Sequence, residues 1–155
     1  MEEQVTERAM IRGTPEHCYE VLTAFEAYPE WAADIKSVTV DERDDQGRAV
    51  RVTFRAAAFG RSTSYTLRYD YHAAPAELSW TQVAGDLTRR LDGSYELVSS
   101  GDGATEITYN LVVDLKVPLP GFVKRRAEGR IMGTALRELK ARVEGSPAPS
   151  PPAPT

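Results

Sequence analysis

Residues 115–144 read LKVPLPGFVKRRAEGRIMGTALRELKARVE, and this stretch decides the fold. Its Pro-Leu-Pro-Gly segment ends a preceding strand, because proline cannot donate a hydrogen bond to a β-ladder. From position 122 onward, apolar residues recur with helical spacing. The clearest core face consists of Met132, Leu136, Leu139 and Val143. The pattern predicts one long amphipathic helix at the end of the chain.

Upstream of this helix, most apolar residues alternate with a period of two, which is typical of β-strands. Strands are expected over residues 5–13, 35–40, 48–57, 62–71, 77–83, 87–98 and 105–115. The short turns between them imply antiparallel neighbours, and alternation implies that only one face is buried. The sequence therefore predicts an α+β domain in which a curved antiparallel sheet grips the terminal helix. The space between sheet and helix is the expected functional site.

The exception upstream is a short helical segment after the first strand. Thr14 can cap a helix that begins at Pro15, and Cys18, Val21 and Leu22 share one face of it. The residues Tyr-Pro-Glu-Trp at positions 28–31 are expected to form a turn, since Pro29 interrupts a helix. Its aromatic side chains either plug the edge of the core or place Trp31 on the rim of a pocket.

The inward faces of the strands carry many aromatic residues with polar tips. They are Tyr65, Tyr69, Tyr71, Trp80, Tyr95 and Tyr109. A purely structural core favours aliphatic residues, because a buried hydroxyl or indole N–H needs a hydrogen-bond partner. These side chains either reach solvent at the margins of the sheet or line a cavity that binds a small ligand.

Two arginines and two glycines depart from the apolar patterns. Arg89 has inward parity, and Arg125 falls on the apolar side of the terminal helix. Each either binds an oxygen atom of a ligand or reaches solvent. A β-bulge would turn the side chain of Arg89 outward, and the long aliphatic stem of Arg125 would carry its guanidinium to solvent. In the same helix, Gly129 and Gly133 either allow close packing on the sheet or leave room for a ligand.

The composition excludes several classes of protein. A net charge of −4 argues against nucleic acid as a partner. No apolar run is long enough to span a membrane, and the charged first ten residues lack an apolar signal core, so a cytoplasmic location is expected. The single cysteine and two histidines support no metal site. Without a phosphate-binding loop, dinucleotide fingerprint or catalytic elbow, we expect no cofactor and identify no catalytic residue.

Two passages resemble a known family: GTPEHCYEVLTAFEAYPEW at residues 13–31 and DLKVPLPGFVKRR at residues 114–126. They are similar to the polyketide cyclase/dehydrase and lipid-transport family of the START-like (SRPBCC, helix-grip) superfamily. The resemblance covers roughly residues 4–144. It implies a START/Bet v 1-like fold, with seven strands around a long C-terminal helix and two short helices. It also implies a cavity for an apolar or aromatic small molecule.

These observations predict a ligand-binding domain over residues 1–145 and a disordered Pro-rich tail over residues 146–155. The predicted function is binding or transport of a lipid, polyketide or quinone-like molecule. The alternative is a polyketide aromatase/cyclase or dehydrase, with Arg89 and Tyr69 or Tyr109 holding an enolate. The last helix also carries an arginine stripe, Arg126, Arg130 and Arg137, which is either solvated or makes transient contact with a membrane surface. The predicted ligand-binding residues are Trp31, Tyr65, Tyr69, Trp80, Arg89, Tyr95, Tyr109, Phe122, Arg125 and Met132.

Overall fold

A computed structural model describes residues 4–58 and 60–145. In chain order the elements are β1 (Val5–Arg12), α1 (Pro15–Thr23), a 3-10 turn (Phe25–Ala27), α2 (Tyr28–Trp31), β2 (Ile35–Arg43), β3 (Ala49–Ala58), β4 (Arg61–Asp70), β5 (Glu77–Gly85), β6 (Thr88–Ser99), β7 (Ala104–Leu115) and α3 (Gly121–Gly145). Seven strands, two short helices after the first strand and one long last helix confirm the predicted α+β fold class. The tail predicted for residues 146–155 lies outside the described residues.

The strands form one antiparallel sheet in the order β1-β7-β6-β5-β4-β3-β2. Strands β2 to β7 are a meander, whereas β1 pairs with β7, with Val5 opposite Leu111 and Arg12 opposite Ala104. Register shifts interrupt the β2–β3, β4–β5 and β6–β7 pairings. Such bulges bend strands and increase their twist, which lets the sheet curve around a helix.

Helix α1 begins as the sequence predicts. The hydroxyl of Thr14 accepts a hydrogen bond of 3.1 Å from the backbone N–H of His17, and Pro15 occupies the first helical turn. The helix buries Cys18, Val21 and Leu22. This face attaches α1 to the same core as the sheet.

The segment at positions 28–31 corrects a prediction. It is the short helix α2, not a turn. Pro29 lies in the first helical turn, where its missing N–H breaks no helical hydrogen bond. The ring of Tyr28 lies 5.0 Å from that of Trp31 and 5.9 Å from that of Phe54, measured between centroids. Helix α2 therefore holds an aromatic pair against β3.

Helix α3 buries the four predicted core residues and one further residue, Glu128. It packs more closely on β1 and α1 than on the strands at the centre of the sheet. A Cβ atom on Gly129 would meet nothing within 4 Å, so this glycine is not required for close packing. Because α3 leans towards the β1 edge, the inner faces of β3 to β6 border a space.

Candidate functional site

A cavity of about 160 Å³ lies between the inner face of the sheet and α3. An engineered cavity of similar size in another protein, about 150 Å³, binds benzene. The space therefore matches one aromatic ring, and a larger ligand must extend out of it. Its walls are mostly aliphatic and aromatic.

Aromatic side chains from four neighbouring strands form the sheet wall. Tyr65 and Tyr69 come from β4, Trp80 from β5, Tyr95 from β6 and Tyr109 from β7. Strand alternation brings them to one face, because every second residue points the same way. Ring centroids are 5.9 Å apart for Tyr69 and Trp80, and 4.5 Å apart for Tyr95 and Tyr109. The wall is thus a continuous aromatic surface and not a set of separate side chains.

The hydroxyl groups of this wall remain protonated. Burial raises the pKa of Tyr65, Tyr69 and Tyr109 far above the ordinary range, and neighbouring tyrosines raise it further because two phenolates would repel each other. Burial likewise raises the pKa of Tyr95, whose hydroxyl also interacts with that of Tyr109. Within residues 4–58 and 60–145, no protein group pairs with the hydroxyls of Tyr65 and Tyr69. The wall therefore offers O–H donors to a bound molecule.

Tyr28 and Tyr71 show that not every inward tyrosine has a hydroxyl group free to hydrogen-bond a ligand. The hydroxyl of Tyr28 donates to the carbonyl oxygen of Leu22, so only its ring contributes to the cavity. The hydroxyl of Tyr71 donates to the carbonyl oxygen of Ala49, and the guanidinium of Arg48 lies 4.8 Å from its ring centroid. Tyr71 is a structural residue outside the cavity.

The helix wall contains a carboxylate that was not predicted as a site residue. Glu128 is 2% exposed and borders the cavity. Its Oε2 accepts a hydrogen bond of 2.6 Å from Nζ of Lys124, one turn earlier in α3. A pattern in the sequence could have identified it, because Glu128 continues the Met132–Leu136 stripe one turn backwards. A carboxylate in a core stripe is rare unless it has a partner.

The cavity opens between the start of β2, the end of β3 and the middle of α3. Its rim includes the half-buried Trp31, the exposed Asp34 and Ala57, and Glu138 on α3. Oε2 of Glu138 accepts a hydrogen bond of 3.2 Å from the backbone N–H of Ala33. The rim is therefore more polar than the interior, and one hydrogen bond joins its two sides.

The structure corrects the predicted positions of four residues. Arg89 is exposed because a bulge in β6 leaves it opposite no residue: Thr88 pairs with Leu115, and Arg90 pairs with Asp114. Thr88 faces the cavity in its place. The predicted pairing of Arg89 with Tyr69 or Tyr109 around an enolate is therefore wrong.

The other three corrected residues lie on α3. Phe122 is 63% exposed, Arg125 is also exposed, and neither borders the cavity. Met132 is fully buried but packs in the core and does not border the cavity. The six remaining predicted residues do border it: Trp31, Tyr65, Tyr69, Trp80, Tyr95 and Tyr109. Their role in binding stays a prediction.

The described part of the chain lacks a metal site and a membrane-spanning helix. No group of three or more His, Cys, Asp or Glu side chains there is placed to hold a metal ion. No helix there is long and apolar enough to cross a bilayer.

Comparison with known proteins places the chain in a family. Residues 2–144 match the polyketide cyclase/dehydrase and lipid transport family, and the chain belongs to it. No curated protein matches the sequence. The membership confirms the resemblance found in the two sequence passages.

Solved structures show the same fold at low sequence identity. A START superfamily protein from Mycobacterium smegmatis has a TM-score of 0.87 and 23% identity, over 92% of this chain and 97% of that protein. The ZhuI aromatase/cyclase from a Streptomyces species has a TM-score of 0.81 and 12% identity, over 94% and 96%. A major latex-like protein from Panax ginseng has a TM-score of 0.72 and 12% identity, over 91% and 97%. The fold is therefore START/Bet v 1-like.

Proposed function

We propose that this protein binds a hydrophobic small molecule, such as a lipid, a polyketide or a quinone-like compound, in the cavity between sheet and α3. The observation that carries the proposal is the aromatic cavity of about 160 Å³. At about 24 cal/mol per Å³, leaving it empty costs roughly 4 kcal/mol. That cost is a large share of the 5–15 kcal/mol by which domains are typically stable. A bound apolar molecule would recover these lost contacts.

The size of the cavity constrains the binding mode. One ring fits between Trp80 and the helix wall, and the rest of a longer molecule passes the rim near Trp31. The tyrosine hydroxyls supply hydrogen bonds to a few ligand oxygen atoms, and apolar contacts supply most of the affinity. This arrangement suits a ligand with an oxygenated ring at one end.

Filling the cavity tests this proposal. Ala56 on β3 and Ala135 on α3 are small residues of the two walls. We expect the double variant Ala56→Leu/Ala135→Leu to bind the fluorescent probe anilinonaphthalene sulfonate at least about tenfold more weakly. The control Ala84→Leu adds the same side chain at an exposed position on β5. Wild-type affinity in the filled variant would mean that the probe binds elsewhere, and the proposal would fail.

Native mass spectrometry of gently purified protein supplies a second measurement. We expect one apolar molecule bound to the wild type and none bound to the filled variant. A molecule retained equally by both variants would contradict binding in this cavity.

A second candidate function is cyclisation or dehydration of a polyketide chain in the same cavity. The observation in its favour is the row of protonated hydroxyls on Tyr65, Tyr69 and Tyr109. Such donors stabilise the oxygen of an enolate, which forms when a base removes a proton between two carbonyl groups. The enolate carbon then attacks a second carbonyl of the chain, and loss of water leaves a new ring.

This candidate is tested with a linear polyketone thioester as the substrate. Formation of an aromatic product by the wild type, slowed in Tyr65→Phe and Tyr69→Phe, would support it. Tyr71→Phe is the control, because Tyr71 does not border the cavity. Product formation at the uncatalysed rate in all four proteins would leave binding alone as the function.

We further propose transient contact between the start of α3 and an anionic membrane surface. Leu119 and Val123 share a surface groove with Arg126 and Arg130, and the exposed Phe122 lies beside them in the sequence. Apolar residues next to cations bind anionic lipid surfaces. Although the chain carries a net charge of −4, this segment is basic. Ile131 borders both groove and cavity, which places the contact next to the binding site.

Vesicle flotation tests the membrane contact. We expect the wild type to bind phosphatidylcholine vesicles that contain phosphatidylglycerol. Binding should weaken in Arg126→Ala/Arg130→Ala and in Phe122→Ser. The control Arg51→Ala removes an exposed cation from β3, away from the groove. Equal binding to neutral vesicles, or no loss in the variants, would contradict the contact. We also propose that the protein is cytoplasmic when it is not bound to a membrane. Cell fractionation would test this location.

A further inference from the structure

The helix wall carries a polar feature that apolar binding does not require. Glu128 is the one fully buried charged side chain within residues 4–58 and 60–145. It occupies the position one turn before Met132 on the core face of α3. Replacing a buried ion pair by apolar residues is often neutral or stabilising. The Glu128–Lys124 pair is therefore weak evidence for a role in holding α3 on the sheet.

The carboxylate is only partly satisfied. Lys124 approaches from the surface, with its side chain 24% exposed, and binds Oε2 of Glu128. Across the described part of the chain, Lys124 is the one hydrogen-bonding partner of this carboxylate. A carboxylate has two oxygens and about four acceptor positions. The second oxygen, Oε1, keeps acceptor capacity at the border of an apolar cavity.

The two walls of the cavity offer opposite hydrogen-bonding chemistry. The sheet wall presents the hydroxyls of Tyr65 and Tyr69, which lack protein partners among the described residues and act as donors. The helix wall presents Glu128, which is an acceptor when ionised. A ligand that satisfies both has an acceptor towards the sheet and a donor towards the helix.

We propose that Oε1 of Glu128 accepts a hydrogen bond from a hydroxyl group of the ligand, so that the cavity selects hydroxylated aromatic ketones over purely apolar molecules. The ligand carbonyl accepts from a tyrosine of the sheet wall, and its phenolic hydroxyl donates to the helix wall. This inference rests on the proposed binding function and adds the chemical class of the ligand. Lys124 acts as a positioning residue that holds the carboxylate in place.

Three matched single-ring ligands test the selection. They are para-hydroxyacetophenone, para-methoxyacetophenone, which keeps the oxygen but lacks the donor, and acetophenone. Because a hydrogen bond to a charged group is stronger than one between neutral groups, we expect the wild type to bind the hydroxylated ketone about tenfold or more tightly than acetophenone. Titration calorimetry measures the two affinities. The methoxy compound is expected to gain nothing over acetophenone.

Variants at position 128 assign the preference to this carboxylate. Glu128→Leu is expected to bind acetophenone at least as well as the wild type and to lose the preference for the hydroxyl. Glu128→Gln keeps an acceptor oxygen without the charge, so a reduced preference is expected. The control Glu106→Gln changes an exposed carboxylate on β7 that does not border the cavity, and it should keep the wild-type preference.

The outcomes separate the two levels of the proposal. If the wild type binds none of the three ligands and no anilinonaphthalene sulfonate, the proposed function itself fails. If it binds the ketones without preference, or if Glu128→Leu keeps the preference, ligand binding stands and the role of Glu128 is overturned. If circular dichroism shows that Glu128→Leu does not fold, Glu128→Gln provides the test instead. An undiminished preference for the hydroxyl in Glu128→Gln would equally overturn the role of Glu128.

Discussion

The backbone N–H of Ala33 donates a hydrogen bond to Glu138 across the rim of the cavity, at 3.2 Å. A second polar contact lies nearby, because Arg142 on α3 forms an ion pair of 3.1 Å with Glu30 on α2, three positions before Ala33. Both contacts are exposed, so each is individually weak. Together they link α2 and the residues that follow it to α3 at the rim of the cavity.

Removing the contact at the rim should speed ligand exchange. In Glu138→Ala the N–H of Ala33 loses its partner, and we expect release of anilinonaphthalene sulfonate to become about two- to tenfold faster in stopped-flow experiments. Glu106→Ala, which removes an exposed carboxylate from β7, is the control. An unchanged release rate would show that the ligand leaves by another route.

Gly93 is expected to be intolerant of a side chain. It lies opposite Trp80 in the β5–β6 pairing, and a Cβ atom there would sit 2.7 Å from Cζ2 of the indole and closer still to the carbonyl oxygen of Asn110. Gly93→Ala should therefore lower the free energy of unfolding by about 1–3 kcal/mol, measured in urea. Tryptophan fluorescence should shift as the indole moves. Wild-type stability and fluorescence together would contradict this close contact.

Gly129 should behave in the opposite way. A Cβ atom there meets nothing within 4 Å, so Gly129→Ala gains helix propensity without a clash. We expect the free energy of unfolding to rise by up to about 1 kcal/mol. The same chemical change at Gly93 serves as the comparison. Because Gly129 does not border the cavity, ligand affinity should stay constant, and a loss of affinity would assign this glycine to the binding site instead.

Acid should remove a contribution that Asp86 makes to stability. The buried Thr63 hydroxyl donates to Oδ1 of Asp86, and the backbone N–H of Ser64 donates to Oδ2 at 3.0 Å. These hydrogen bonds lower the pKa of Asp86, with the Thr63 bond as the largest cause. Since the pKa in the folded state lies below the unfolded value of about 3.9, this stability is present above about pH 4 and is lost as the pH falls through the folded pKa.

Asp86→Asn tests this dependence, because asparagine keeps an acceptor for Thr63 and cannot titrate. The variant should be less stable than the wild type at pH 7, and the difference in urea midpoint should shrink at pH 3. A difference of equal size at both pH values would show that titration of Asp86 does not contribute.

The sequence predicted the fold well because its signals are local. The two-residue alternation of β4, as in Tyr65 and Tyr69, and the helical spacing from Met132 to Val143 each follow from the residues of one element. The aromatic wall was predicted for the same reason. When the strands pair in register, alternation within each strand is enough to bring its members together.

The errors have a common physical origin, which is that neighbouring elements change what a local pattern implies. One additional residue in β6 turned Arg89 outward, and strand parity alone does not locate such a bulge. Phe122 has core periodicity, but no neighbouring element covers it and it is exposed. Glu128 was not predicted as a site residue, although its position continues the core stripe, because a carboxylate is rare in a core unless it has a partner.

The pairing of β1 with β7 has a consequence for how the protein is made. It joins groups as distant in the chain as Gln4 and Asn110, which are 106 positions apart, and α3 then packs on β1. During synthesis the first strand must therefore wait for the last strand and helix before its backbone is paired. Until then the aromatic wall has no helix to cover it. A nascent chain arrested before α3 would expose that apolar wall to other proteins, so we expect this domain to depend on chaperones until α3 has been synthesised.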